Sequence, residues 1–373
     1  MVSFNIGGVY KAMESCFVNI NSTWKETSEI WCNISGAWKE VFKKGIKKVD
    51  NPTVLSVARR GIKSANTGDY ILFAGGGYGL TSRSSAVDSY NSNLVKTTTT
   101  SMAYTRQNHS SASVGDYALF TAGTGGTAYA TDAYNSSLVR SSATILTSTY
   151  REAMGGASNP SYAIFTGGYN PYSSSTQYRN TYAYNSSLVL STASSLSETR
   201  YNIGGGSVGD YAVFAGGYGT AVTTVEAYNS SLALSTPTAL SQARGAMAVA
   251  NIKGYTIFAG GDTVGKTYYR NGVDCYNTSL VRTSTTLTYA KSSLGGTNIG
   301  DFAIFAGGAS LSFPNGDATV EVFNSSLVKT TAPDLSTGRY SVCGGNIGRY
   351  ALFTGGEITD YNTVSDVVDA YYL

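Results

Sequence analysis

Charge is scarce in this sequence. Only 13% of its 373 residues are Asp, Glu, Lys or Arg, about half the usual share. The net charge of +3 gives no electrostatic case for a nucleic-acid partner. Histidine is nearly absent. A single residue, His109, excludes any multi-histidine metal centre and leaves room for at most one His-based dyad. It reads as a satisfied core or rim position. The apolar runs are only a few residues long, which excludes a transmembrane helix. The start, Met-Val-Ser-Phe-Asn-Ile-Gly-Gly, lacks the charged n-region and apolar h-region of a signal peptide. Any extracellular role then needs another exit, such as cell lysis. Cys16, Cys32, Cys275 and Cys343 show no metal-ligand spacing and read as buried or idle thiols. No tryptophan follows position 38.

Gly (43), Tyr (29), Ser and Thr fill the space that charge leaves. Much of this composition is repetition. Tyr70-Ile-Leu-Phe73-Ala-Gly-Gly76 returns, with small changes, at Tyr117, Tyr162, Tyr211, Tyr255, Phe302 and Tyr350. A nearly constant period of about 47 residues marks a repeat architecture. Within one unit, residues 107–113 lead through Val-Gly-Asp116 into the apolar strand Tyr117–Gly123. A loop, a short strand Asp132-Ala-Tyr134, the turn Asn135-Ser-Ser-Leu138 and a β-branched outer strand follow. The Asn-Ser-Ser and Asn-Thr-Ser segments at Asn135, Asn185, Asn229, Asn277 and Asn324 read as turns, since Asn and Ser side chains bond the local backbone. Four antiparallel strands, called a to d from the inside outward, make one propeller blade.

The Tyr-x-aliphatic-Phe-x-Gly-Gly phrase, a downstream acidic-x-Tyr and a basic residue opening the next unit resemble Kelch repeats over roughly residues 52–373. Small, hydroxyl or aliphatic residues stand where that family carries its strand-d Trp. The resemblance implies an all-β, seven-bladed Kelch-like propeller, and many unrelated functions sit on such folds. The last copy ends on strand c, Val367–Leu373, so an N-terminal strand must close the ring. Residues 52–58 hold the expected position. Kelch-type copper oxidases need two His with Tyr and Cys, and propeller sialidases need Trp-containing boxes. Neither set can be assembled here, and the reading is of a non-enzymatic chain with no cofactor and no metal.

The phrases also serve as a ruler. The basic residues Arg59, Arg106, Arg151, Arg200, Arg244, Lys291 and Arg339 all precede the next strand-b aromatic by one fixed interval, as Arg59 precedes Tyr70 and Arg339 precedes Tyr350. The b–c connection, by contrast, changes length. Measured from the second Gly to the strand-c aromatic, it is short from Gly123 to Tyr134 and longest from Gly168 to Tyr184. It varies in residue type too. Binding groups concentrate on such loops over a rigid scaffold, and Tyr gives wide contact at low entropic cost. The candidate ligand residues are therefore Tyr78, Tyr129, Tyr169, Tyr172, Tyr178, Arg179, Tyr218, Tyr268, Tyr269, Arg270, Phe313, Asn315 and Tyr361. The seven basic residues and the acidic set Asp88, Asp132, Glu226, Asp274, Glu321 and Asp369 recur too regularly for a ligand site. They read as structural ion pairs. The third copy has Tyr182 in the acidic position.

Residues 1–44 carry a shorter repeat. Asn5-Ile-Gly-Gly-Val-Tyr10-Lys11, Asn19-Ile-Asn-Ser-Thr-Trp24-Lys25 and Asn33-Ile-Ser-Gly-Ala-Trp38-Lys39 are evenly spaced and read as β-hairpins. Tyr10, Trp24, Trp31 and Trp38 are the candidate attachment residues, because so short a module has too small a core to stand alone. The segment resembles hairpin repeats near the ends of bacteriophage tail and baseplate proteins. That resemblance implies a homo-oligomer in a virion tail or tail-like particle, assembled in the bacterial cytoplasm and released by lysis. Residues 1–44 would join other tail or baseplate proteins, and the propeller would meet a bacterial surface polymer, foremost a glycan, or a surface protein. Membrane insertion is not expected. Lys43, Lys44, Lys47 and Lys48 make a basic, solvated junction, and residues 45–51 are the linker before the propeller at 52–373. The alternatives are a structural baseplate or decoration protein with no receptor role, and an intracellular Kelch interaction scaffold.

Overall fold

The computed structural model describes residues 45–373 except 79–81, 126–129, 220–222, 267, 314 and 360–362, and the backbone of six strands within 1–44. The side chains of 1–44, 174–175, 266 and 359 lie outside the description. The chain divides into two compact units, residues 1–47 with Leu373, and Lys48–Tyr372. In the first, three antiparallel hairpins form: Ser3–Ile6 with Val9–Ala12, Cys16–Ile20 with Thr23–Thr27, and Glu29–Ile34 with Ala37–Lys43.

The second unit is a seven-bladed β-propeller, built from seven four-stranded antiparallel sheets. Blade two is typical, with Ser110–Val114, Tyr117–Thr121, Thr131–Tyr134 and Arg140–Ala143 in order from the axis. The strand-b Phe and the strand-c aromatic are buried and meet edge to face in every blade, from Phe73–Tyr90 at 6.0 Å to Phe353–Tyr371 at 5.9 Å. This edge-to-face geometry is the one aromatic quadrupoles favour. In blades one to five the strand-c Tyr hydroxyl then bolts the blade to the segment leaving the one before. Tyr134 donates to the Thr100 carbonyl at 2.9 Å and Tyr276 to that of Thr238 at 2.8 Å.

The ring closes as expected, but on a different segment. The outer strand of blade seven is Lys47–Lys48, paired beside Val368–Tyr372. The Val49 amide donates to the Ala370 carbonyl at 2.8 Å. Residues 52–58 instead form the irregular passage to the next blade, with Leu55 buried and its amide on the Asp366 carbonyl at 2.9 Å. Lys48 is no solvated hinge residue, because its ammonium lies 2.7 Å from Asp369. The propeller therefore begins inside the stretch expected to be linker.

The inner strands leave an unpaired edge toward the axis. Side chains from the neighbouring blade satisfy it. Ser158 Oγ donates to the Ser113 carbonyl at 2.7 Å and accepts the Ser113 amide at 3.0 Å. Ser207 does the same for Ser158. Asn66 Nδ2 spans blades one and seven, donating to the Asn346 carbonyl at 3.0 Å. Two positions earlier, where other blades carry Ser64, Ser111 or Val249, blades three and four approach so closely that only glycine fits: a Cβ on Gly205 would overlap the Gly156 carbonyl oxygen. Backbone cannot yield as a side-chain tip can. Gly205→Ala is thus expected to destabilise the propeller by about 1–3 kcal/mol, as other overpacked sites do. Urea denaturation checks it, and an unchanged midpoint would contradict the close approach.

The opposite end carries the uniform c–d turns. In six of them an Asn side chain accepts two amides, as Asn135 Oδ1 does from Ser137 at 3.1 Å and Val139 at 2.9 Å. The Leu before that second amide adopts positive φ, 58 to 60° in all six. A bulky residue is rare in that region. Here the Leu side chains pack against the blade cores, which holds the conformation.

Candidate functional site

The repeated charges belong to the scaffold. Arg59, Arg106, Arg200, Arg244 and Arg339 are completely buried, and each meets its strand-c carboxylate. The Arg106–Asp132 distance is 2.7 Å and that of Arg200–Glu226 is 2.6 Å. The other guanidinium nitrogen often fastens the b–c connection, as Arg200 Nη1 does on the carbonyls of Gly216 at 2.8 Å and Thr224 at 2.6 Å. Burial lowers the guanidinium pKa of Arg106, Arg200, Arg244 and Arg339, and the facing carboxylate opposes that shift. In five blades a strand-d cation shares the carboxylate: Lys96, Arg140, Arg282, Lys329 and Lys48.

Blades three and six depart from this pattern. Arg151 has no acid in position 182. Its guanidinium lies 3.9 Å from the Tyr178 ring centre and donates to Asn180 Oδ1 at 3.0 Å. Lys291 is shorter than Arg, and Asp317 comes in to meet it at 2.9 Å. Tyr178 is thereby a structural partner, and half-buried.

The remaining candidates from the b–c loops divide clearly. Tyr78, Tyr172, Arg179, Tyr268 and Asn315 are exposed, while Tyr269, Arg270 and Phe313 are half-buried. Tyr218 turns inward, only 8% exposed, and its hydroxyl donates to Asp262 Oδ1. Tyr169 is half-buried with its hydroxyl on Glu152. The hydroxyl of Tyr218 and one face of the Tyr178 ring are thus taken up by the scaffold. Tyr129 and Tyr361 lie outside the described residues, as do the side chains of Tyr10, Trp24, Trp31 and Trp38.

The d–a segments contribute aromatics that loop-length reasoning missed. Tyr104, Tyr150 and Tyr289 are exposed, and Tyr201 is half-buried. Three of them meet the b–c loops directly. Tyr150 and Tyr172 are 4.9 Å apart between ring centres, Tyr169 and Tyr201 4.6 Å, Tyr201 and Tyr218 5.4 Å, and Tyr289 and Phe313 5.7 Å. A signal existed: each stands beside, or next but one to, the basic residue that opens its unit.

Two depressions open among these loops. One, about 630 Å³, lies at the axis where the inner strands begin and is lined by Lys63, Asn108, Asn202, Tyr218, Ser293 and Ser341. The other, about 290 Å³, lies between blades five and six and is lined by Tyr268, Tyr269, Arg270, Tyr289, Leu311 and Ser312. His109 stands beside the first, fully buried against Phe120 at 6.1 Å. Burial, with Arg106 nearby, holds its pKa well below the usual imidazole range, so the ring is neutral. Burial pushes the Cys275 thiol up to about 12 and the Cys343 thiol to about 11, which leaves both protonated. Among the described residues, no three His, Cys, Asp or Glu side chains converge as a metal site, and no helix is long and apolar enough to cross a membrane.

No protein-family model matches the chain, and no curated protein matches its sequence.

Proposed function

We propose that this is a non-enzymatic recognition protein of a phage tail or tail-like particle. Its Kelch-like propeller recognises a bacterial surface glycan through the end that carries the b–c and d–a loops. Residues 1–44 attach it to other tail or baseplate proteins. One observation carries the recognition reading. All the exposed tyrosines among the described residues (Tyr78, Tyr104, Tyr150, Tyr172, Tyr268 and Tyr289) belong to the b–c or d–a connections. The large apolar residues exposed at the c–d turns are valines alone: Val95, Val139, Val189, Val281 and Val328. Single exposed apolar residues need no explanation, but aromatics gathered at one end do, since a flat amphipathic ring suits the C–H face and hydroxyls of a sugar. The Asn-, Ser- and Tyr-rich surroundings resemble an antibody paratope in composition. The tail assignment rests on the N-terminal hairpin repeat alone.

Co-sedimentation of the full chain with intact cells and cell-wall extract from a panel of bacteria tests the reading. Saturable binding to a subset of strains is expected. A uniform lack of binding, together with particle images in which the loop end is buried against other proteins, would replace it with a structural role.

A further inference from the structure

Resting on that reading, we infer that the cleft between blades five and six is a subsite for an acidic pyranose, a uronate-type residue of a surface polysaccharide. Its two walls come from neighbouring blades and are fixed by backbone bonds. On one side the Arg270 amide donates to the Gly261 carbonyl at 2.8 Å, and the Arg270 carbonyl accepts the Lys291 amide at 3.1 Å. Tyr268 is pinned through Thr263, whose amide donates to the Tyr268 carbonyl at 3.1 Å. On the other side the Phe313 amide donates to Ser310 Oγ at 3.1 Å. A cleft preorganised in this way spends little binding energy on ordering.

Its lining is unusual for this surface. Tyr268 is 61% exposed, Tyr289 47% and Leu311 85%, so three large apolar side chains face solvent around one concavity. Exposed apolar groups gathered in a concave place mark a binding site more often than scattered ones do. The volume of about 290 Å³ is at the lower end for small ligands, which begin near ~300 Å³, and suits one sugar ring rather than a folded peptide.

Arg270 supplies the charge argument. The buried arginines of the scaffold each face a carboxylate, apart from Arg151 in its aromatic setting. Arg270 is half-buried and makes no ion pair among the described residues. Its guanidinium carbon lies 5.7 Å from the Tyr268 ring centre. A planar guanidinium with free donors beside exposed rings fits a carboxylate fork. A neutral sugar would stack on Tyr268 and Tyr289 and leave that cation unanswered.

Calorimetric titration of the full chain with polygalacturonate oligomers and with their methyl esters tests this, alongside binding to host cells. The acid form should bind at least ten-fold more tightly than the ester and weaken as salt is raised. Arg270→Ala and Arg270→Gln should each abolish the preference for the acid without lowering the melting temperature. Tyr268→Ala should weaken both forms. Equal affinity of the wild type for acid and ester, no binding of the acid, or an unchanged preference in both Arg270 variants would overturn the subsite. If cells are still bound in any of those cases, the broader recognition reading stands. If wild-type protein binds no cells, that reading fails on its own arm.

Discussion

Replacing Asp274 with alanine should lower the stability of the propeller by about 3–5 kcal/mol, the usual consequence of stranding one member of a buried pair. Asp274 is fully buried and serves several partners at once. It accepts from Arg244 Nη2 at 2.7 Å, from the Ser241 amide at 3.1 Å and from Ser241 Oγ at 3.0 Å. Arg282 adds its charge at 3.8 Å. Alanine leaves the Arg244 guanidinium charged inside the blade with only the Gln242 and Phe258 carbonyls at 3.4 and 3.3 Å. Asp274→Asn keeps the Ser241 acceptor and should fall between wild type and alanine. Arg282→Ala removes a partly exposed, more distant cation together with its hydrogen bond to the Ala239 carbonyl, and should cost about 1 kcal/mol. Differential scanning calorimetry would show the order. If Asp274→Ala and Arg282→Ala melted together, the charge ring would not be what locks the blades.

The second large effect concerns closure. A chain lacking residues 1–44 keeps Lys47–Lys48 and should melt where the intact propeller does. A chain lacking residues 1–51 loses the outer strand of blade seven. The amide of Val49 on Ala370 and the Lys48–Asp369 pair both go with it. Each lost hydrogen bond removes about 0.5–1.5 kcal/mol. The newly bare edge of Val368–Tyr372 also becomes a template for pairing with another chain. The longer truncation should therefore melt several degrees lower and self-associate on size-exclusion chromatography. Equal melting temperatures and a monomeric profile for both would show that the ring does not depend on this strand.

The scaffold is legible because packing repeats it. Seven copies of one apolar strand, each at the same interval after a basic residue, leave little freedom in where blades begin. The closing strand is misplaced in the sequence reading because strand d carries no apolar signature: Lys96–Thr98 and Lys329–Thr331 are hydroxyl-rich and largely exposed. The usable sign is the strand-d cation that shares the carboxylate. Lys48 stands as far before Arg59 as Arg140 does before Arg151. The glycines of the inner strands are illegible for another reason. Gly205 and Gly156 belong to different units, and their conflict appears only when two blades are side by side. Tyr218 reads as a loop aromatic, yet its hydroxyl partner Asp262 comes from the next blade. Exposure at the loop end is decided by such inter-blade contacts, which one unit read alone cannot display.

Cell binding by matched variants of the two ends tests the central claim most directly. Tyr172→Ala combined with Tyr268→Ala should weaken binding of the full chain to susceptible cells by roughly five-fold or more, since each ring contributes about 0.5–1.5 kcal/mol. Val139→Ser combined with Val328→Ser, at the c–d turns, should bind as the unaltered chain does. Undiminished binding by the tyrosine pair, with loss in the valine pair, would contradict the assignment of recognition to the loop end.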